Sequence, residues 1–420
     1  MTHVTAPFAM KPRTRMGPCR PSGMVGPSRG GAMHLHHPRP RRATVAAGAC
    51  LAMAAAALAG SSWLAAHPSD AWACGPYVAL SDAVGFLPGL VPFSVAEWVL
   101  VLAATAAVVY FARSVAAVVR ASRGRRLAAA GRRAVPAVAV VAAAWALFMA
   151  LQGLNYSRPT FAELAGYGPV LQEARALPAE ERARRLTALC EELGRRVDES
   201  RVALGPVSDG WLRNRPSATG GAAGDFPAMA RAATSQVRAL NDRYPGLFAV
   251  DFSDPKPVLA SRAMSLVGIT GVYFPYTAEA NVSCDWPRLS IPATMGHELA
   301  HRAGFMREDE ANYIGYLACA ASDDPLARYS GLTMAYDEAM AALHRADPEA
   351  WARIHGERDL AVAGDRAARA DMAAAYRGPL QDLGDAVNDG YLKANGQEAG
   401  TASYGLMVDL LLADPALQSA

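Results

Sequence analysis

Apolar positions along the chain fall into two unlike regimes. Up to about residue 155 they run on with few interruptions, and beyond it they alternate with charged residues at helical spacing. Three early runs reach the length a bilayer needs, about 20 residues: "TVAAGACLAMAAAALAGSSWLAA" (44–66), "AEWVLVLAATAAVVYFA" (96–112) and "AVPAVAVVAAAWALFMALQGL" (134–154). Trp98, Tyr110, Phe111, Trp145, Phe148 and Tyr156 fall mostly at interface depth in the last two, which favours spans over buried core helices. The first run is rich in Ala, and "SDAWAC" (69–74) is the kind of segment that follows a cleaved signal. Its apolar stretch is longer than a signal core, so an uncleaved span is expected. Either choice puts residue 67 outside.

The second regime reads as a helical domain. Leu186, Leu189, Leu193 and Val197 recur at helical spacing within 170–204, predicting two amphipathic helices with a solvated Glu/Arg face. A Gly/Pro-rich loop (207–230) precedes a helix to about 242. Short β-type runs follow at 247–252, 256–261 and 268–276, and helices dominate again from 308. The expected fold class is mainly α: three N-terminal transmembrane helices, then a mostly helical domain with a small sheet or hairpin. The expected divisions are a disordered arm (1–43), a membrane region (44–154) and a folded domain (155–420).

Charge adds an orientation. Net charge is only +3, yet residues 1–43 carry eight Lys/Arg and no acid, and 113–133 carry seven Arg and no acid. Residues 67–95 hold Asp70 and Asp82 and no Lys or Arg. The positive-inside rule then puts the arm and the 113–133 loop in the cytoplasm, and everything after the third span outside. The arm lacks interleaved aromatic residues, so the expected partner is the lipid bilayer and no nucleic acid. Met33 offers an alternative start. Six cysteines (19, 50, 74, 190, 284, 319) show no zinc-ribbon spacing, and those at 190, 284 and 319 read as buried thiols, with one disulfide as the alternative.

The chemistry concentrates in "ATMGHELAHRAGFMREDEAN" (293–312). His297 and His301, four apart on one helix, can aim nitrogens at one Zn²⁺, while Glu298 reaches the same metal from the side as a general base. Ser290 is expected to cap this helix, Pro292 to sit in its first turn, and Gly304 to end it. Ile291, Met295, Leu299 and Ala300 should bury it. A third His at 307 would complete the HExxHxxGxxH pattern, but residue 307 is Arg, which ligates no zinc. Three carboxylates follow at once: Glu308, Asp309 and Glu310. With a tight turn after Gly304, a helix starting near 307 would point Glu308 back at the metal, with Glu310 the runner-up ligand. Asn312, at i+4 from Glu308, is placed to orient His297 or His301.

"EDEAN" resembles the opening of the third-ligand helix in gluzincin-type peptidases, and that resemblance selects Glu308. The chain as a whole resembles an uncharacterised family of bacterial multi-pass membrane proteins, a domain of unknown function, with a zincin-like signature. The likeness covers most of residues 90–420. It rests on "PFSVAEW", "LQGLNYSRPTF", "GVYFPYTAEANVSCDWP", "GHELAHRAGFMREDEANYIGYLAC", "RYSGL" and "NDGYLKANGQEAGTASYGLMVDLLL". It departs from the pattern at Gln152, where Trp is expected. The resemblance implies a membrane-bound, peptidase-like zincin. In zincins a strand upstream of the active helix pairs with substrate, which makes Gly271, Val272, Tyr273 and Phe274 substrate-strand candidates. Tyr391, Lys393, Asn395 and Tyr404 form a late polar cluster, in which Tyr391 and Tyr404 are oxyanion candidates.

The expectation is therefore a zinc metallopeptidase of the bacterial cell membrane, multi-pass, with a cytoplasmic N-terminus and an extracytoplasmic catalytic domain acting on a peptide or protein. One Zn²⁺ would be held by His297, His301 and Glu308, with Glu298 activating water. A non-peptidase hydrolase of the cell envelope and a catalytically silent sensor or scaffold are the alternatives. An HExxH about 140 residues beyond the last span argues against intramembrane proteolysis.

Overall fold

A computed structural model describes residues 42–67, 69–205 and 209–418. The basic arm expected over 1–43 lies outside them up to residue 41.

Ala, Leu and Val carry no side-chain group that competes for backbone hydrogen bonds, and the apolar runs accordingly fold as helices: α1 (Arg42–Ala66), α2 (Pro76–Gly89), α3 (Val95–Arg120) and α4 (Arg126–Leu151). The Arg-rich segment expected as a loop is mostly helical. α3 runs on to Arg120, and a 3₁₀ turn at Arg123–Arg125 leads straight into α4, because Ala and Arg are strong helix formers. Tyr110 donates to the Arg133 carbonyl across the resulting antiparallel pair.

Among the described residues two helices are long and apolar enough to cross a membrane, not the three expected: α3, and α4 taken with its flanking turns (Arg123–Ser157). The first run is a 25-residue helix, but its apolar part, Val45–Gly60, is too short for a bilayer. α1 packs along α4.

Both helices expected within 170–204 are present, α5 (Gly168–Arg175) and α6 (Ala179–Ala203), and Leu186, Leu189, Leu193 and Val197 are all buried. α7 (Phe226–Arg243) follows the Gly/Pro-rich loop. The sheet has three strands, β1 (Lys256–Val258), β2 (Gly271–Phe274) and β3 (Glu279–Ser283), in the order β1-β3-β2. β3 runs parallel to β1 and antiparallel to β2, with Val272 opposite Asn281 and Phe274 opposite Glu279. β2 is therefore an edge strand. Residues 247–252 form no strand, although Phe248, Val250 and Phe252 are buried as alternation predicts. Side chains take their backbone groups instead: Asp251 N–H donates to Asp82, while Arg238 and Arg302 donate to the carbonyls of Phe252 and Asp251.

The C-terminal helices that matter here are α8 (Ile291–Arg302), α9 (Glu308–Ala320), α10 (Pro325–Ala346), α11 (Pro379–Ala394) and α12 (Met407–Ala413). α8 is the hub. It packs on α7, α9, α10, β2 and β3, and every residue from Met295 to Arg302 is buried. Pro292 sits in its first turn and Gly304, at φ 91°, follows its end. Ser290 does not cap it. Ser290 belongs to a preceding 3₁₀ turn in helical backbone geometry, and its hydroxyl makes no hydrogen bond. The buried Arg302 ties α8 to the β2–β3 turn by donating to the Ala278 carbonyl. The five described cysteines are free thiols; Cys190 and Cys319 are buried and Cys284 is half-buried.

Candidate metal centre

α8 and α9 cross at two glycines. A Cβ on Gly296 would lie 3.0 Å from Gly315 Cα, and one on Gly315 would lie 3.0 Å from His297 N, so a side chain at either position would push the two backbones apart. That contact brings the first turn of α9 beside the histidines of α8.

Three ligand-type atoms converge there. Glu308 Oε2 lies 3.2 Å from His297 Nε2 and 3.5 Å from His301 Nε2, and the two Nε2 atoms are 3.0 Å apart. The far side of each ring decides what those nitrogens can be. His301 Nδ1–H donates to the Phe305 carbonyl at 2.8 Å, and His297 Nδ1–H donates to Asn312 Oδ1 at 2.7 Å. A neutral imidazole that donates from Nδ1 carries only a lone pair on Nε2. Two nitrogen lone pairs and a carboxylate oxygen thus face one another, all buried, and Glu308 Oε2 makes no hydrogen bond. Such a cluster of acceptors is stable only with positive charge at its centre.

A proton is one answer. Burial pulls the His301 pKa down, but the Glu308 carboxylate outweighs it and raises the group to about 9. Burial pushes Glu308 up, and the imidazoles overcome that and hold it well below the ordinary range. A divalent metal ion is the other answer, and the His/His/Glu donor set fits it: the three ligand atoms all lie within 4.8 Å of one another.

Glu298 lies on the sheet side of this cluster. Its carboxylate meets the Tyr273 backbone amide and lies so close to Gly271 that a Cβ there would be 2.4 Å from Oε1. Glu298 Oε2 is buried without a hydrogen bond, and burial raises the carboxyl pKa. Ser283 N–H donates to the Thr270 carbonyl. Antiparallel alternation then turns the backbone groups of Gly271 and Tyr273 away from β3, toward the free edge on the Glu298 side.

The remaining sequence candidates divide. Tyr404 stacks on His297 (ring centroids 6.2 Å, 17°), and its hydroxyl reaches Glu308 and Asn388. Tyr391 stands one layer further out, receiving hydrogen bonds from Gln152 Nε2 at 2.5 Å and Tyr156 Oη at 3.3 Å. Burial pushes both phenols up, so both stay protonated. Lys393 pairs with Asp389 at the surface, and Asn395 binds the Tyr391 carbonyl at the end of α11, so neither joins the cluster. Glu310, the runner-up, does not join the cluster: its carboxylate accepts from Phe161 N–H at 2.9 Å and pairs with Arg307 at 3.2 Å. Asp309 faces Arg175. Val272 and Phe274 lie on the edge strand, Val272 exposed, while the Tyr273 side chain is buried against Tyr77.

Sequence reasoning missed Gln397, which accepts from Glu308 N–H at 3.2 Å while its own buried amide nitrogen makes no hydrogen bond. Nothing in "NGQEAG" marks it beyond its closeness to Tyr404. An apolar cavity of about 870 Å³ lies elsewhere, between α1 and α4, and no residue of the metal cluster lines it.

No curated protein and no solved structure matches the chain. One family model, described as "Protein of unknown function (DUF3810)", matches residues 72–412, most of the chain and all of the cluster, and the chain belongs to that family.

Proposed function

We propose that this chain is a membrane-anchored zinc metallopeptidase. The observation that carries the reading is the convergence of His297 Nε2, His301 Nε2 and Glu308 Oε2 with no donor among them, beside the unpartnered Oε2 of Glu298. Two imidazoles and one carboxylate are the donor set of a catalytic zinc, with a ligand position left for chemistry. When bound, the ion supplies a Lewis acid that polarises a carbonyl and acidifies water.

This chain's own residues do the rest. Asn312 and the Phe305 carbonyl fix the imidazole tautomers that leave Nε2 free to ligate. Glu298, its pKa raised by burial, takes the proton of the attacking water and passes it to the leaving amine. The free edge of β2, through the outward backbone groups of Gly271 and the Tyr273 carbonyl, aligns an extended peptide by strand addition. Tyr404, protonated and beside Glu308, is placed to donate to the developing oxyanion.

α3 and α4 anchor the protein in a bacterial cell membrane. The Arg-rich turn between them favours a cytoplasmic position for their joined ends, and hence an extracytoplasmic site. The test is hydrolysis of a peptide library by the full-length, zinc-loaded protein alongside Glu298→Gln. Cleavage by the wild type, lost in a Glu298→Gln protein that keeps its zinc, is the expected result. A zinc-loaded wild type that cleaves no peptide, soluble or membrane-anchored, overturns the peptidase reading in favour of a different hydrolase.

A further inference from the structure

The metal cluster stands very close to the ends of the membrane-type helices. Glu279, at the start of β3, accepts from the Val95 and Ala96 amides at 3.1 and 2.9 Å, so its carboxylate caps the first turn of α3. Glu279 is paired with Phe274, which puts that end of β2 at the α3 N-terminus. The other end, Gly271, lies against Glu298. Three residue steps of strand are about 10 Å. From the other helix, Tyr276 in the β2–β3 turn donates to the Ala144 carbonyl of α4 at 3.1 Å, so the hairpin tip lies alongside α4 and not above its end. The end of α4 touches the cluster's outer layer: Gln152 donates to Tyr391, and Phe148 packs edge-on against the same ring.

α3 and α4 are antiparallel, so the N-terminus of one and the C-terminus of the other leave the bilayer on the same face. The cluster lies at that face. Large apolar side chains are exposed close to the start of α3. Phe86, Leu87, Leu90 and Phe93, just before α3, are 44–70 % exposed. Leu383 and Val387, on the helix α11 that carries Tyr391, are 61 and 65 % exposed. Large exposed apolar side chains at this level fit the lipid interface.

We infer that the substrate is itself membrane-anchored, a polypeptide cut within a few residues of where its own transmembrane segment leaves the bilayer. This rests on the peptidase reading above. A chain paired along β2 in extended form has one end at the membrane boundary, marked by the α3 N-terminus, and reaches Glu298 after about three residues. A substrate span lying beside α3 and α4 therefore delivers its first extramembrane residues to the metal, while residues far from the bilayer have no such route.

The test uses full-length, zinc-loaded protein in liposomes. The probe is a randomised peptide segment of about 25 residues fused to one poly-Leu transmembrane helix. The same segment without the helix is the soluble control, and cut sites are mapped by mass spectrometry. Cuts clustered within about six residues of the helix are the expected result, with at least ~10-fold less cutting of the soluble control, since anchoring raises effective concentration. Cuts spread evenly along the segment, or equal cutting of the soluble control, overturn this inference and leave the peptidase reading standing. No cutting of either probe overturns the peptidase reading itself. A readout without turnover comes from Glu298→Gln protein and a photo-crosslinker in the anchored probe. Crosslinking to the hairpin from the third residue outside the helix, and not from the fifteenth, is expected; equal crosslinking from both overturns the inference.

Discussion

In the α3–α4 pair the apolar side chains face outward: Leu102, Val108 and Phe111 of α3 are each about two-thirds exposed. In the α8–α9 pair, polar side chains face inward: His297, His301, Glu298, Glu308 and Asn312 are all under 10 % exposed. Each arrangement is costly in water and each becomes reasonable with one addition. Exposed Leu and Val on two long helices call for lipid. Buried acceptors with no donor call for a cation. The same physical test, looking for groups whose natural solvent is missing, finds both surfaces, and β2 with the β2–β3 turn joins them.

The largest expected effects fall on the inward-facing pair. On the proposed reading, Glu298→Gln keeps the metal and lowers hydrolysis by about 10²–10⁴-fold, the usual worth of a general base. Steady-state kinetics with parallel metal analysis checks this; unchanged turnover would mean that Glu298 is only a buried acid. Gly271→Ala places a Cβ 2.4 Å from Glu298 Oε1 and must displace the base. Its expected cost is on the order of 10²-fold in kcat with metal retained, the scale of a 1 Å misplacement. If Gly271→Ala cleaves like the wild type, β2 does not lie against the catalytic carboxylate.

Asn312→Ala removes the acceptor that orients His297 and should weaken metal affinity about 10–100-fold, measured by competition with a chelator. The smallest effect is one of pH on the metal-free protein. His301 has a folded pKa of about 9 against an ordinary 6.5. Its charged form therefore contributes stability in full below about pH 6.5, and the contribution is lost as pH rises through 9. The Tm of the chelated protein should fall over that window, and metal should restore it. A Tm that rises with pH in the chelated protein would mean that no proton occupies the cluster.

Sequence carried the inward-facing pair better than the outward-facing one. His297, Glu298 and His301 are fixed by spacing on a single helix, and Asn312 follows from Glu308 by the same rule. Choosing Glu308 over Glu310 took more. Both acids lie in one helical turn, and what pulls Glu310 away is Phe161 N–H, donated by a segment 149 residues earlier. No local pattern reports such a contact. The error at 247–252 has the same origin, since alternation marked the buried side chains correctly but could not show that Asp82, Arg238 and Arg302 would take the backbone groups a strand needs. In α1, composition misled: the run is helical over 25 residues, but its apolar part, Val45–Gly60, is shorter than a span.

The central claim is that the third acceptor of the cluster is Glu308 and that the three acceptors hold a metal. Metal analysis of the purified full-length protein, with Glu308→Ala and Glu310→Ala in parallel, addresses it directly. The account predicts about one zinc per chain in the wild type and in Glu310→Ala, and close to none in Glu308→Ala. A folded wild type that takes up no zinc, or a Glu308→Ala protein that keeps its full complement, would contradict it.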